Sequence, residues 1–403
     1  MLSNNLNLLV ISEKYYPYGG AELAIHCILR LLRDMGFNIL VITGAKNIKP
    51  LDGVEYLYSP LLNTSTKINL WKNILVGRDH FDKFIKQSDI VYIPRVAYPI
   101  IPRAKKFGKK VIVHLFDLQP IDYDAIIYHP YENYRRNLLY KISKSALYEI
   151  LENQSLFRAI VSSLMTPLNS LIPIWLSYAD IIVCESKRHA YMVAKEAPNL
   201  SSKIRIIYDP LPKVPLFTKV KDKCNKFLYG GGCKFSKGIH VLINASLKLI
   251  KRHIKTKFIV TRVKSTKLKS LLNNLNKKFN NPYIVLGNIE HRKFLEFHRK
   301  VVALVMPTLI EEPLPSIIIE SMLAGTIPIA SKTGGIPEIV RGTYAEKMLF
   351  TPGDAEELTD KMEAVLSLSE EQLINIGIKL REAILKKFDE NIIKNRLLEI
   401  FTD

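Results

Sequence analysis

A chain of 403 residues with 48% apolar content can bury a sizeable core and is expected to form two domains, which excludes a disordered protein. Its 58 Lys and Arg against 38 Asp and Glu give a net charge of +20, which favours nucleic acid, anionic lipid or phosphorylated ligands; a bias towards lysine and isoleucine explains part of the excess. No arginine-rich tail, zinc-knuckle spacing or aromatic RNA-binding motif occurs, so nucleic acid is not expected as a partner. The cysteines Cys27, Cys184, Cys224 and Cys233 form no CxxC pair, which argues against a disulfide framework or a zinc site and suits a reducing cytosol. Residues 1–7 are polar and lead into a strand, so no signal peptide is expected and the expected location is cytoplasmic.

The apolar run Leu8-Leu9-Val10-Ile11 reads as a buried parallel strand. Residues 21–33 read as a helix with a stripe at Ala24, Cys27, Ile28, Leu31 and Leu32, and residues 39–43 as the next strand. This is a β-α-β unit with Gly19 and Gly20 at the helix entrance. Two glycines there let a ligand approach the backbone, and a helix N-terminus favours phosphate. Residues 45–88 read as irregular and polar, with a helix around 72–87. Strands are expected at 89–94 and 109–116.

Residues 125–158 mix Arg135, Arg136, Lys141, Lys144 and Arg158 with Tyr, Leu and Ile, and residues 159–179 carry no charge. Pro167, Pro173 and several Ser, Thr and Asn argue against a membrane span. Two readings stand for this insert, placed at 125–178 of the N-terminal domain. It is a helix packed in that domain, or a surface that leans on the inner face of an anionic membrane. A strand at 179–186, residues 203–207 and the Pro-rich Tyr208-Asp209-Pro210-Leu211-Pro212 follow. They place a domain boundary at a linker of residues 211–225.

The second half opens another β-α-β series at residues 226–229, then Gly230-Gly231-Gly232-Cys233-Lys234-Phe235-Ser236-Lys237-Gly238 and a helix at 239–251. A glycine-rich loop with a lysine at a helix entrance suits phosphate. Strands follow at 257–261 and 283–286, a helix at 291–300 and a strand at 301–306. Then comes Glu311-Glu312-Pro313-Leu314-Pro315-Ser316-Ile317-Ile318-Ile319-Glu320-Ser321-Met322-Leu323-Ala324-Gly325. Glu312 falls on a loop after a strand, and Pro315 and Ser316 read as a helix start with Gly325 as its stop. Glu320 falls about one turn into that helix. The free N–H groups at its entrance would face an anion such as a diphosphate. Glu312 can accept hydrogen bonds from sugar hydroxyls and Glu320 from a ribose diol. A strand at 327–330, the turn Gly334-Gly335 and helices at 355–366, 370–386 and 390–401 close the chain, with domain limits expected at 226–385 and 386–403.

The whole string from Glu312 through Glu320, Ala324-Gly325, Pro328 and Thr333-Gly334-Gly335-Ile336-Pro337-Glu338 resembles the Glu-x7-Glu signature of retaining family-4 glycosyltransferases, which have the GT-B fold. Pro17-Tyr18-Gly19-Gly20-Ala21-Glu22 is similar to that family's first loop, and Lys237-Gly238 to its phosphate loop. The resemblance implies an α/β protein of two Rossmann-like domains facing a central cleft, with the final helix packing back towards the N-domain. It implies transfer of a sugar from a nucleotide-sugar donor to a glycan, lipid-linked or glycolipid acceptor, with retention and without a metal or other cofactor. Glu312 would orient the donor sugar. Gly19, Gly20, Gly232, Lys237, Leu314, Pro315, Ser316 and Glu320 would bind donor. At the end of the strand at 109–116 the family carries His-Asp; here Phe116 and Asp117 stand there, and either His114 has taken the histidine's role or the role is absent. Gly232 stands where an arginine is usual, and Lys234 or Arg262 is left to supply its charge. Asp122-Tyr123-Asp124 has the look of a metal-binding DxD, with nothing else to support a metal. A nucleotide-sugar epimerase and a catalytically silent sugar-nucleotide or polysaccharide binder are the alternative functions.

Overall fold

The computed structural model describes residues 6–17, 19–133, 136–217 and 225–402. Residues 1–5, Tyr18, Arg135, and linker residues 218–224 with Cys224 therefore lie outside the described residues. The chain divides into two compact units. The first comprises Met1–Ala125, Met165–Pro212 and Phe388–Asp403, and the second Ile126–Leu164 and Lys213–Lys387.

The first unit is built on seven strands: β1 (Asn7–Ser12), β2 (Asn38–Thr43), β3 (Glu55–Tyr58), β4 (Ile90–Pro94), β5 (Lys110–Leu115), β6 (Ile181–Cys184) and β7 (Ile204–Ile206). They pair in parallel in the order β3-β2-β1-β4-β5-β6-β7. The second holds β8 (Lys226–Tyr229), β9 (Lys257–Val260), β10 (Tyr283–Val285), β11 (Ala303–Met306), β12 (Ile327–Ser331) and β13 (Leu349–Phe350), parallel in the order β10-β9-β8-β11-β12-β13. Each sheet starts in its middle and winds outward twice. The order reverses between β1 and β4 in one and between β8 and β11 in the other. At such a switch point neighbouring loops diverge and leave a crevice at the strands' C-terminal ends.

The inner strands are apolar on both faces because helices cover both. Leu8, Leu9, Val10 and Ile11 of β1 are all buried. The helix Gly20–Asp34 buries Ala24, Ile25, Ile28, Leu29, Leu31 and Leu32, with Cys27 at the margin of that stripe. The helix Ser316–Leu323 is apolar nearly all round and correspondingly buried. Its C-terminus closes when the Gly325 N–H donates to the Met322 carbonyl (3.1 Å) and the Thr326 N–H to that of Ser321 (2.9 Å). The helix Glu390–Thr402 packs in the first unit, where Phe401 meets Phe37 and Tyr92 edge-on and Glu390 pairs with Arg30 at 2.9 Å.

Three elements differ from the sequence expectation. The single helix at 72–87 is two, Lys67–Val76 and Asp79–Gln87, because Gly77 caps the first by donating to the Asn73 carbonyl at 2.8 Å. The half-exposed edge strand β3 has no apolar run to announce it. The insert at 125–178 does not lie wholly in the N-terminal domain, since residues 126–164 pack in the second unit. Backbone hydrogen bonds explain the change: His129 N–H donates to the Leu309 carbonyl (2.9 Å) and Glu311 N–H to that of Ile127 (2.7 Å). Tyr128 and Ile310 form an antiparallel bridge between them.

Candidate functional site

The loops at the β8/β11 switch point carry most of the residues singled out in the second half. After β8 the chain makes its glycine-rich turn and enters the helix Ile239–Lys251. After β11 it runs from Pro307 to Pro315 and enters the helix Ser316–Leu323. The two loops are bound together: the Ser236 carbonyl accepts from the Leu309 N–H (2.9 Å) and from the Thr308 hydroxyl (3.3 Å). Gly238 has φ +73°, and a Cβ there would sit 1.7 Å from the Pro307 carbonyl oxygen. Only glycine fits, and that close approach sets Lys237 against the β11 loop.

Lys237 Nζ meets Glu312 Oε1 in an ion pair, and the Thr308 hydroxyl, 3.3 Å from the same oxygen, shares its one proton between it and the Ser236 carbonyl. Both side chains keep some surface, 29% and 14%, so both remain open to a ligand. The Glu312 backbone is fixed from the other side, its carbonyl accepting from the Gly335 N–H at 2.8 Å. Leu314 and Pro315 are buried, whereas Ser316 at the helix entrance is partly exposed.

Glu320 is 4% exposed and accepts from His291 Nε2 at 2.8 Å. That hydrogen bond raises the His291 pKa, against burial and the nearby Arg262 charge. His291 was invisible as a partner in the sequence because 29 residues separate it from Glu320. Glu311 was also missed. Its carboxylate is buried and accepts from His129 Nδ1 (3.0 Å), the Tyr131 N–H (3.1 Å) and the Gly334 N–H (2.8 Å). It ties residues 127–131, the β11 loop and the Gly334-Gly335 turn into one knot beside Glu312. Nothing in the sequence separates such an interior carboxylate from its neighbour Glu312.

Gly232 takes a backbone conformation that favours glycine. Its φ is +71°, and a Cβ would lie 3.3 Å from the Arg262 carbonyl oxygen. An arginine there would be strained by about 1–2 kcal/mol. Of the two cations left to replace it, Lys234 donates to the Tyr148 hydroxyl at 3.3 Å, whereas Arg262 is exposed and close enough to His291 to oppose its protonation.

In the first unit the β1/β4 switch point carries a different cluster. Arg95, with φ +93°, pairs with Glu13 (2.7 Å) and Glu22 (3.0 Å). Burial disfavours its charge, but the two carboxylates outweigh that and hold its pKa above the ordinary value. Gly19 caps the helix Gly20–Asp34, and a Cβ at Gly19 would lie 2.5 Å from Glu22 Oε2. Gly19 thus borders this cluster, with Gly20 next to it in the chain.

His114 is not a surface group. It is 1% exposed within β5, receives or donates at Nδ1 to the Tyr92 hydroxyl (2.9 Å) and stacks on Phe116 at 4.2 Å. Burial pushes its pKa down to about 3. Both faces of this sheet are covered there, and the His114 ring lies in the core. Asp117 is half-buried at the strand end; its Oδ1 accepts from the Gln119 N–H (2.9 Å) and its carbonyl from His189 Nε2 (3.1 Å). His189, fully buried, was not anticipated; burial lowers its pKa to about 4. Asp122 is fully buried and interacts within the protein, so Asp122-Tyr123-Asp124 is no open ligand set. Among the described residues no group of three or more His, Cys, Asp or Glu is placed to hold a metal.

This architecture is the GT-B fold. Sucrose-phosphate synthase from Thermosynechococcus elongatus superposes with a TM-score of 0.72 at 15% identity, covering 98% of each chain. HepE from Anabaena, in complex with UDP-glucose, gives 0.64 at 16% identity over 98% of this chain and 99% of its own. A glycosyltransferase from Rickettsia africae gives 0.66 at 15% identity over 99% and 100%. Residues 217–380, which hold the Lys237–Glu312 site, match the family described as Glycosyl transferases group 1. No curated protein matches the chain.

Proposed function

We propose that the protein transfers a sugar from a nucleotide-sugar donor to a glycan, lipid-linked or glycolipid acceptor, with retention of configuration. The observation that carries the reading is the Lys237–Glu312 pair, half-open at the β8/β11 switch point inside the segment that matches the glycosyltransferase family. In this reading Lys237, Arg262 and the N–H groups at the two helix entrances receive the diphosphate, where negative charge grows as the sugar leaves. Glu312 accepts from the sugar's hydroxyls. Glu320, oriented by His291, accepts from the ribose diol. A same-face substitution fits this reading. The sugar's C1 bond to the phosphate oxygen breaks, the acceptor hydroxyl bonds to C1 on that face, and its proton passes to the departing phosphate.

UDP-glucose is the first donor to test, because HepE is described with it. Thermal shift against a panel of nucleotide sugars, with and without EDTA, names base and sugar together. Glu312→Ala is expected to abolish transfer while the protein stays folded; turnover at the wild-type rate in that variant would sink its role. EDTA is expected to leave activity intact; a loss restored by Mg²⁺ or Mn²⁺ would contradict a metal-free reaction. The buried His114 and the glycine at 232 favour a second reading, a sugar-nucleotide binder without turnover. Neither hydrolysis nor transfer of a bound donor would select it.

A further inference from the structure

The helices Leu138–Asn153 and Leu156–Met165, joined through Gln154 and Ser155, are inside out. On the second helix Leu156, Phe157, Ile160 and Leu164 fall on one face and are 73%, 76%, 60% and 67% exposed, while Ala159 and Ser162 are buried. On the first helix Leu139 and Leu147 are 74% and 50% exposed, while Lys144 and Ser145 are buried. A water-facing surface does not sort residues this way; a contiguous apolar face of this kind marks an interaction surface.

The charges around the face say what covers it. Residues 138–164 contain two carboxylates, and both are spent inside the unit. Glu149 accepts from Arg158 at 2.8 Å, and Glu152 accepts from the Phe235 and Ser236 N–H groups at 3.0 and 2.8 Å. At the joint of the two helices Gln154 Oε1 accepts from Lys267 Nζ at 2.8 Å, so the apolar face borders the start of the helix Thr266–Lys278, where Lys264 and Lys269 are also exposed. Residues 226–289, to which these lysines belong, hold 14 Lys and Arg and no Asp or Glu. An apolar face without outward carboxylates, next to a cationic one, is complementary to a surface that is apolar below and anionic above. A second copy of this chain would bring a further cationic segment against the first.

We infer that the Leu138–Met165 helical pair docks the protein on an anionic lipid bilayer, its leucines and Phe157 entering the interfacial layer while Lys264, Lys267 and Lys269 meet the headgroups. The window Leu156–Leu176 is long and apolar enough by length and composition to cross a membrane, with mean hydropathy 1.4. Its second half nevertheless buries Ile172 and Leu176 completely in the first unit, so the pair lies on the bilayer rather than crossing it. This inference does not depend on the proposed sugar transfer, since vesicle binding needs neither donor nor turnover.

The test is flotation of the full chain with vesicles of phosphatidylcholine alone and of phosphatidylcholine mixed with phosphatidylglycerol. The wild type should float with the mixed vesicles and only weakly with the neutral ones, and binding should fall with salt. The double variant Phe157→Ser, Leu164→Ser should lose about tenfold or more of that binding, and Lys267→Glu with Lys269→Glu should abolish the preference for the anionic vesicles. Melting curves establish that each variant is folded. For a variant that melts early, quenching of a Phe157→Trp fluorophore by brominated lipid reads insertion directly. Absence of flotation from folded wild-type protein overturns the proposal. So does equal flotation by the serine variant, or a solution dimer, found by light scattering, that the serine variant dissociates.

Discussion

Replacing Lys237 with methionine separates ligand binding from folding. Lys237 and Glu312 retain 29% and 14% of their side-chain surface. Pairs open to water in this way contribute about 0–1 kcal/mol to stability. Methionine keeps most of the lysine stem, and Glu312 keeps its Thr308 hydrogen bond at 3.3 Å. Folding should therefore lose no more than about 1 kcal/mol, a shift of about 2–4 °C for a domain of this size. A charge-assisted hydrogen bond to a diphosphate contributes about 1.5–3 kcal/mol, which is about 10- to 150-fold in Kd. The loss should lie towards the upper figure, because Glu312 then faces the diphosphate with no cation beside it. Calorimetric titration with UDP and UDP-glucose reads the affinity, and a melting curve reads the fold. An unchanged Kd in folded Lys237→Met protein would refute the role. Lost binding accompanied by a collapse in melting temperature would instead mean that the pair is structural.

Glu311→Gln should cost about 2–4 kcal/mol, because the new amide N–H₂ must face one of the donors that Glu311 now accepts from; an unmoved urea midpoint would contradict the knot. His114 and His189 make the first unit acid-sensitive. Their folded pKa values, about 3 and about 4, lie below the unfolded value, so the unfolded chain binds more protons and stability present above about pH 6.5 is lost as pH falls. Each should contribute a slope of about 1.4 kcal/mol per pH unit below that point, and His114→Asn should flatten it; identical slopes in variant and wild type would refute this. Gly232→Arg should destabilise by about 1–2 kcal/mol without tightening nucleotide binding, whereas Arg262→Met should weaken it. A tenfold gain in affinity on adding the arginine would mean that Arg262 is not the substitute.

The parts legible in the sequence are those set by local chemistry. Strands such as Leu8-Leu9-Val10-Ile11 announce themselves because a sheet covered on both faces needs continuous apolar runs. The Lys237-Gly238 and Glu312-to-Glu320 stretches carry their geometry in their own residues, as the fit of Gly238 against Pro307 makes plain. What the sequence hid depends on distant pairing. His291 and Glu320 meet across 29 residues, and Glu311 gathers donors from 180 residues away. His114 is a related case: its place on β5 can be read from the sequence, but the burial of its ring cannot. The insert at 126–164 joined the second unit through backbone hydrogen bonds, which no composition records.

On the proposed function, the Lys237–Glu312 pair also orders the events of binding. A lone carboxylate at a diphosphate site would repel its ligand, by about 1 kcal/mol or more at contact even in water. Paired with Lys237, Glu312 presents a neutral unit at the edge of a segment that carries 14 cations and no acid in residues 226–289. The diphosphate is drawn by that field and competes for the lysine. Only when Lys237 turns to the phosphate is Glu312 released to accept from sugar hydroxyls. Recognition of the sugar is thereby made conditional on the diphosphate that carries it. A free hexose should show no measurable binding under conditions where UDP binds and UDP-glucose binds more tightly than UDP. Equal affinity for UDP and UDP-glucose, together with binding of the free sugar, would mean that Glu312 is available without the exchange.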